Sequence, residues 1–181
     1  MNAVDVHIRE AVAADAAALA QLAGQAFHDT YRLIDDPDDL ADYVREHFTP
    51  RTMAAHIADP LSTMLLAQRG EQLVGYAQVR RSPVPPCVLG PVPIELARLY
   101  LDESVIGSGL GGRMMRTAQA EARQQGARTL WLSVYDRNLR AVAFYKRCGF
   151  VDVGGKEFFF GGRIYVDPVM AAPVPQDLNP S

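Results

Sequence analysis

The run Ile106-Gly107-Ser108-Gly109-Leu110-Gly111-Gly112-Arg113 is where this chain can hold a ligand. Its glycines let the backbone turn sharply and bring N–H groups close to a bound group. The run follows a strand-like stretch, Ile94 to Leu101, and opens a helix-like stretch reaching about Gln125. The first helical turn leaves N–H groups unpaired, and the helix dipole favours negative charge there. Strand, glycine turn and helix start together form a seat for a pyrophosphate. Taken alone, such a run reads equally well as a tight turn. It gains weight from a second segment downstream, Asn138 to Phe150.

Other elements must position these segments. Val4 to Arg9 alternates apolar and polar residues, as a half-buried strand does. Asp15 is placed to cap a helix over Ala16–His28, with Leu19, Leu22, Ala23 and Phe27 inward. Asp35-Asp36-Pro37 and Thr49-Pro50 read as breaks that start two further helices. Met64–Ala67 and Leu73–Val79 flank a turn and predict a hairpin. Ser82 to Pro93 is too rich in proline for regular structure. Gly109 to Gln125 predicts a helix with Leu110, Met114, Ala118 and Ala122 on one stripe. Thr129 to Tyr135 reads as a central strand, and Asn138 to Arg147 as a short helix. Gly161-Gly162 joins Phe150–Phe160 to Arg163–Met170 as a closing hairpin. The reading is α/β: one mixed sheet, helices on both faces, a single domain over residues 1–170 and a flexible tail over 171–181.

Composition narrows the function. The chain has 181 residues, 49% of them apolar, which suits one domain with a real core. A net charge of −3 without a Lys/Arg run speaks against a nucleic-acid partner. No apolar run approaches a membrane span, and the N-terminus lacks a signal-type apolar core. Cys87 and Cys148 make neither a disulfide framework nor a four-ligand zinc site. His28, His47 and His56 show no ligand pattern, so no metal is expected. These readings predict a cytoplasmic protein.

Ile94-Glu95-Leu96-Ala97-Arg98-Leu99-Tyr100-Leu101 before the glycine turn, together with Leu130 to Asn138 before Ala141 to Phe150, resembles the GCN5-related N-acetyltransferase (GNAT) superfamily. The layout is most similar to the PaiA-type spermidine/spermine acetyltransferases. The resemblance implies a mostly antiparallel sheet of about seven strands whose middle pair splays apart. It implies acetyl-CoA as co-substrate, its diphosphate held by main-chain N–H groups from Ile106, Gly107, Ser108, Gly109, Leu110 and Gly111, with Gly112 and Arg113 entering the helix. The family loop usually begins with Arg or Gln where Ile106 stands. Leu99, Tyr100 and Leu101 occupy the positions whose main chain pairs with the pantetheine arm. Asn138 matches a polar residue that touches that arm; it is also placed to cap a helix, and the two roles are compatible.

Two catalytic roles follow from the same resemblance. Tyr145 matches the frequent general acid that reprotonates the departing thiolate, the alternative being a tyrosine that packs against the cofactor. Glu95 matches a carboxylate that often takes the proton from the attacking amine; the alternative is an exposed glutamate at a strand end. Strict alternation puts Glu95 on one face with Ala97, Leu99 and Leu101, where burial would raise its pKa. The acidic stretch from Asp29 to Glu46 either attracts a cationic acceptor or reflects helix starts dressed with aspartates.

The function implied is transfer of acetyl to a primary amine by direct attack, a small amine or polyamine favoured. A protein, peptide or aminoglycoside acceptor, and a non-catalytic acyl-CoA-binding module, are the alternatives. Pairing of relatives through their outer strands makes a homodimer a further expectation.

Overall fold

The computed structural model describes residues 6–176. β1 (Val6–Glu10) leads into α1 (Ala16–Tyr31), α2 (Pro37–His47) and α3 (Pro50–Ala58). The hairpin β2 (Ser62–Arg69) and β3 (Gln72–Arg80) follows, then the proline-rich loop and β4 (Pro93–Leu101). After α4 (Leu110–Gln124), β5 (Thr129–Ser133) and α5 (Leu139–Arg147), the chain closes with β6 (Val151–Phe160) and β7 (Arg163–Pro173). The seven strands form one sheet in the order β1-β2-β3-β4-β5-β7-β6. Every neighbouring pair is antiparallel except β4 with β5.

Local chemistry sets the helix starts. Asp36 accepts from the N–H groups of Asp38 and Asp39 ahead of α2, and Thr49 accepts from Thr52 N–H ahead of α3. Asp15 does not cap α1 through its side chain. Its carboxylate instead accepts Val12 N–H at 2.8 Å and holds the Arg9 guanidinium, so it closes the short turn before the helix. α1, α2 and α3 cover one face, with Leu19, Leu40 and Met53 packed on Met64, Leu66 and Tyr76. α4 and α5 cover the other, and the stripe Leu110, Met114, Ala118 and Ala122 is buried as its spacing requires.

The tail expected over 171–181 does not begin at Ala171. β7 continues to Pro173, and Val174 is buried with its N–H on the Arg128 carbonyl. Residues 177–181, the rest of that tail, and the first residues of the strand read from Val4 lie outside the described residues.

β4 carries a bulge. Leu96 pairs with Val79 and Arg98 with Gln78, so Ala97 has no partner on β3. One extra residue reverses the facing of everything after it. Ile94 and Leu96, then Leu99 and Leu101, join the core under α4, whereas Tyr100 joins the core under α1. Glu95 therefore shares the α1 side with Arg98 and Tyr100. The face expected from strict alternation, Glu95 with Ala97, Leu99 and Leu101, does not form.

Candidate active site

β4 and β5 pair over only three positions, Pro93–Glu95 with Thr129–Trp131. Beyond Glu95 the strands part. The β5-facing edge of β4 from Leu96 onward is left without a strand partner. A cavity of about 600 Å³ opens there, lined along β4 by Leu96 to Leu101 and along the other side by Ser133, Val134 and Tyr135. That volume suits a small-molecule site.

The glycine loop closes one end. Gly107 and Gly109 adopt φ of 83° and 86°, a left-handed backbone that side chains disfavour. Within the turn, Ser108 N–H reaches the Val105 carbonyl, and the Ser108 hydroxyl donates to that same carbonyl at 2.6 Å. Arg113 N–H to the Gly109 carbonyl is the bond that starts α4. Gly111 and Gly112 stand ahead of it, so their N–H groups face out of the helix start. A Cβ on Gly111 would sit 3.4 Å from the Phe144 ring, so a side chain there would crowd that wall. Gly107, Gly109, Gly111 and Gly112 all line the cavity, with Asn138, Arg140, Phe144, Tyr145 and Arg147 opposite. A cradle of peptide nitrogens beside two arginines fits a diphosphate.

The other end is aromatic and carries carboxylates. Phe27, Tyr31, Tyr43 and Phe48 come from the N-terminal helices and the segment after them, and Phe158, Phe160, Tyr165 and Asp167 from the last hairpin. The hairpin tip rests on α2: Gly161 leaves room for the Asp39 carboxylate, and Tyr43 meets the edges of Phe158 and Phe160. Burial pushes the Asp167 carboxyl up to about 6, with Asp136 adding repulsion. Asp35 is also raised by burial, although it accepts from the Tyr135 hydroxyl at 3.2 Å. Tyr31 and Tyr100 hydroxyls lie 3.3 Å apart, and burial raises both phenols.

A model of the acetyltransferase (GNAT) family matches residues 25–150. The chain belongs to the GNAT family. It is an N-acetyltransferase. It is 30% identical over 156 residues to an uncharacterized N-acetyltransferase of Mycobacterium bovis, covering 86% of this chain and 96% of that one. A spermine/spermidine N(1)-acetyltransferase of Bacillus subtilis is 32% identical over 72 residues, 39% of this chain and 47% of that one. The fold is similar to the PaiA N-acetyltransferase of Thermoplasma acidophilum, whose crystal structure contains coenzyme A. The TM-score is 0.77 at 20% identity, covering 93% of this chain and 99% of that one.

The acetyltransferase brings most of the residues singled out from its sequence into one cavity. Leu99, Tyr100, Leu101, Ile106, Gly107, Gly109, Gly111, Gly112, Asn138 and Tyr145 line it. Asn138 also caps α5, accepting from Ala141 N–H at 3.2 Å. Tyr145 is buried, and that burial lifts its phenol above the ordinary range. Leu110 points into the core instead, and Ser108 spends its hydroxyl inside the turn. Arg113 turns away altogether, donating to the Val6 carbonyl at 2.7 Å. Glu95 does not line the cavity. It is 4% exposed and held by Arg80 at 2.6 Å.

The acidic stretch divides in the same way. Asp35 lines the cavity, while Asp29 is engaged by Gln25 and Arg32, Asp36 caps α2, and Asp42 pairs with Arg45. Asp167, Arg98, Arg140 and Arg147 are cavity residues that sequence reasoning passed over. The only signal for Asp167 was an acidic residue on a strand otherwise rich in apolar residues.

Proposed function

We propose that this acetyltransferase moves acetyl from acetyl-CoA to the nitrogen of a small primary amine by direct attack, with Asp167 as base and Tyr145 as acid. The observation that carries the reading is a single cavity with a pyrophosphate cradle at one end and a buried carboxyl, poised near 6, at the other. Acetyl-CoA supplies an activated acetyl thioester. Peptide N–H groups of the Gly107–Gly112 loop, aided by Arg140 and Arg147, would hold its phosphates. The free edge of Leu99–Leu101 would pair with the pantetheine arm as an added strand does.

An amine arrives mostly as ammonium and must lose a proton before it can attack. A carboxylate whose pKa lies near 6 is ionised at neutral pH, yet is a stronger base than an ordinary aspartate. Asp167 has that property and faces the cavity; Glu95, fixed by Arg80 outside it, does not. The departing thiolate needs a proton in return. Tyr145 stays protonated because burial disfavours phenolate. The same dry surroundings disfavour a thiolate too, so the proton affinity of the sulfur rises along with that of the phenol oxygen.

The aromatic walls suit an acceptor with an apolar body. A polyamine, the acceptor class suggested by the sequence, finds Asp35 and Asp167 here, but it also meets the Arg98 guanidinium. Purified protein, acetyl-CoA and a panel of small amines, followed by thiol release, test the proposal. Saturable release with a small primary amine supports it. Coenzyme binding without release on any amine overturns it in favour of an acyl-CoA-binding module.

A further inference from the structure

Arg98 is a cation in the acceptor half of the cavity with no carboxylate to balance it. It forms no ion pair among the described residues, and its Nη1 is buried without a hydrogen-bond partner. The nearest candidate on its own strand, Glu95, is committed to Arg80. Asp35 and Asp167 line the same cavity, but neither forms an ion pair with Arg98 among the described residues. Its guanidinium lies over the Phe48 ring, 5.1 Å from the centroid. A ring face steadies the plane of the guanidinium and attracts its charge, but it accepts no in-plane hydrogen bonds.

The surroundings repeat the deficit. The Tyr76 hydroxyl is buried beside Arg98 and interacts with it, a neutral group that does not balance the charge. Gln78, directly across from Arg98 in the β3–β4 ladder, gives its amide N–H to Ser62 and leaves Oε1 without a partner. Burial lowers the His56 pKa, and the Arg98 and Arg80 charges lower it further against the opposing effect of Asp59. Buried polar groups are as a rule paired, and a buried cation more strictly still. An arginine that lines an open cavity, held flat by an aromatic ring and lacking its counter-charge, has the form of a receptor for a planar anion.

We infer that Arg98 is a specificity residue that binds a carboxylate on the acceptor, so that the substrate is an amine carrying an acid group, an amino acid or the end of a short peptide. The inference rests on the small-amine reading above and narrows it. The bulge at Ala97 is what turns Arg98 to this side of β4. A carboxylate fits better than a phosphate, because Asp35 and Asp167 share the cavity and repel a dianion more than a monoanion. A linear polyamine gains from Asp35 and Asp167, but each ammonium that comes near Arg98 meets repulsion that no paired carboxylate offsets.

The test compares acceptors of one shape and different charge: L-tyrosine, L-tyrosinamide and tyramine, with spermidine as a fourth arm, each with saturating acetyl-CoA and thiol release as the readout. The expected result is a kcat/KM for tyrosine about 10- to 100-fold above both analogues that lack the carboxylate, the range for a hydrogen bond to a charged group. The amide is a demanding control, since its amine is less basic and so more often unprotonated. Arg98→Met should bring the acid-to-amide ratio to about one, acting mainly through KM, and Arg98→Lys should keep part of it. Wild-type turnover that ignores the carboxylate, or favours spermidine, overturns the Arg98 assignment and leaves the small-amine reading standing. No release from any acceptor overturns both. The wild-type comparison decides the matter even if the Arg98 variants fail to fold.

Discussion

Replacing Asp167 by Asn should make the protein more stable and much less active. The carboxyl rises from 3.8 to about 6 because burial penalises its charged form. At about 1.4 kcal/mol per pH unit, that shift corresponds to about 3 kcal/mol of destabilisation once the group is ionised. The carboxyl opens onto a cavity that water can enter, so screening reduces this to about 1–1.5 kcal/mol. The sign follows from proton counts. Between pH 4 and 6 the folded chain holds a proton on Asp167 that the unfolded chain has lost, so wild-type stability falls as pH rises through this window. Asparagine has no proton to lose. Urea unfolding at a series of pH values should therefore show the variant's advantage opening above pH 4 and levelling off above about 6.5. Near neutrality it should add roughly 3–5 °C to Tm. Over the same range, wild-type kcat should climb through about pH 6, and the variant should lose that limb together with roughly 100- to 10,000-fold in rate. A variant that is no more stable at pH 7, with a gap that ignores pH, would refute the burial argument. Unchanged kcat would refute the assignment of the base.

The remaining predictions concern other parts of the cavity. Tyr145→Phe removes the acid while keeping the ring, so kcat should fall roughly 100-fold; calorimetry should find coenzyme A affinity within about 2-fold of wild type. Gly109→Ala forces a side chain into φ of 86°; chemical denaturation should show a loss of about 1–2 kcal/mol, the cost of that backbone for a residue with a Cβ. Glu95→Gln weakens the hold on Arg80, so chemical denaturation should show a loss of about 1–2 kcal/mol. Turnover per folded molecule should fall far less than in Asp167→Asn, and a loss as large as that variant's would return the base role to Glu95.

Much of the fold was legible because it depends on local signals. Glycines mark the loop and the last hairpin, prolines mark the irregular cover before β4, and the stripe on α4 repeats at helical spacing. The splay between β4 and β5 came from the family resemblance, and the ladder that stops at Glu95 bears it out. Facing along β4 was a different matter. Period-two counting assumes an unbroken ladder, and nothing in Leu96-Ala97-Arg98 announces an unpaired residue, so Glu95 was grouped with the wrong neighbours. Asp167 was missed because its role depends on which strands surround it: a lone acid on an edge-like strand looks solvated until β7 is seen between β5 and β6. Arg113 shows the converse. Its position beside the loop, entering the helix, does not say where its long side chain goes, and that side chain reaches the β1 backbone.

The two ends of the cavity draw on the chain differently. The proposed coenzyme cradle comes from Leu99 to Arg147, within the stretch that the family model matches, whereas the acceptor end adds Phe158, Phe160, Tyr165 and Asp167 from past residue 150, where that match ends, to residues from within it. Those last four side chains sit on a hairpin that supplies none of the proposed cradle. On that division, substitutions in the terminal ribbon should shift acceptor choice more than coenzyme affinity, with Arg98 acting on the acceptor from the matched stretch.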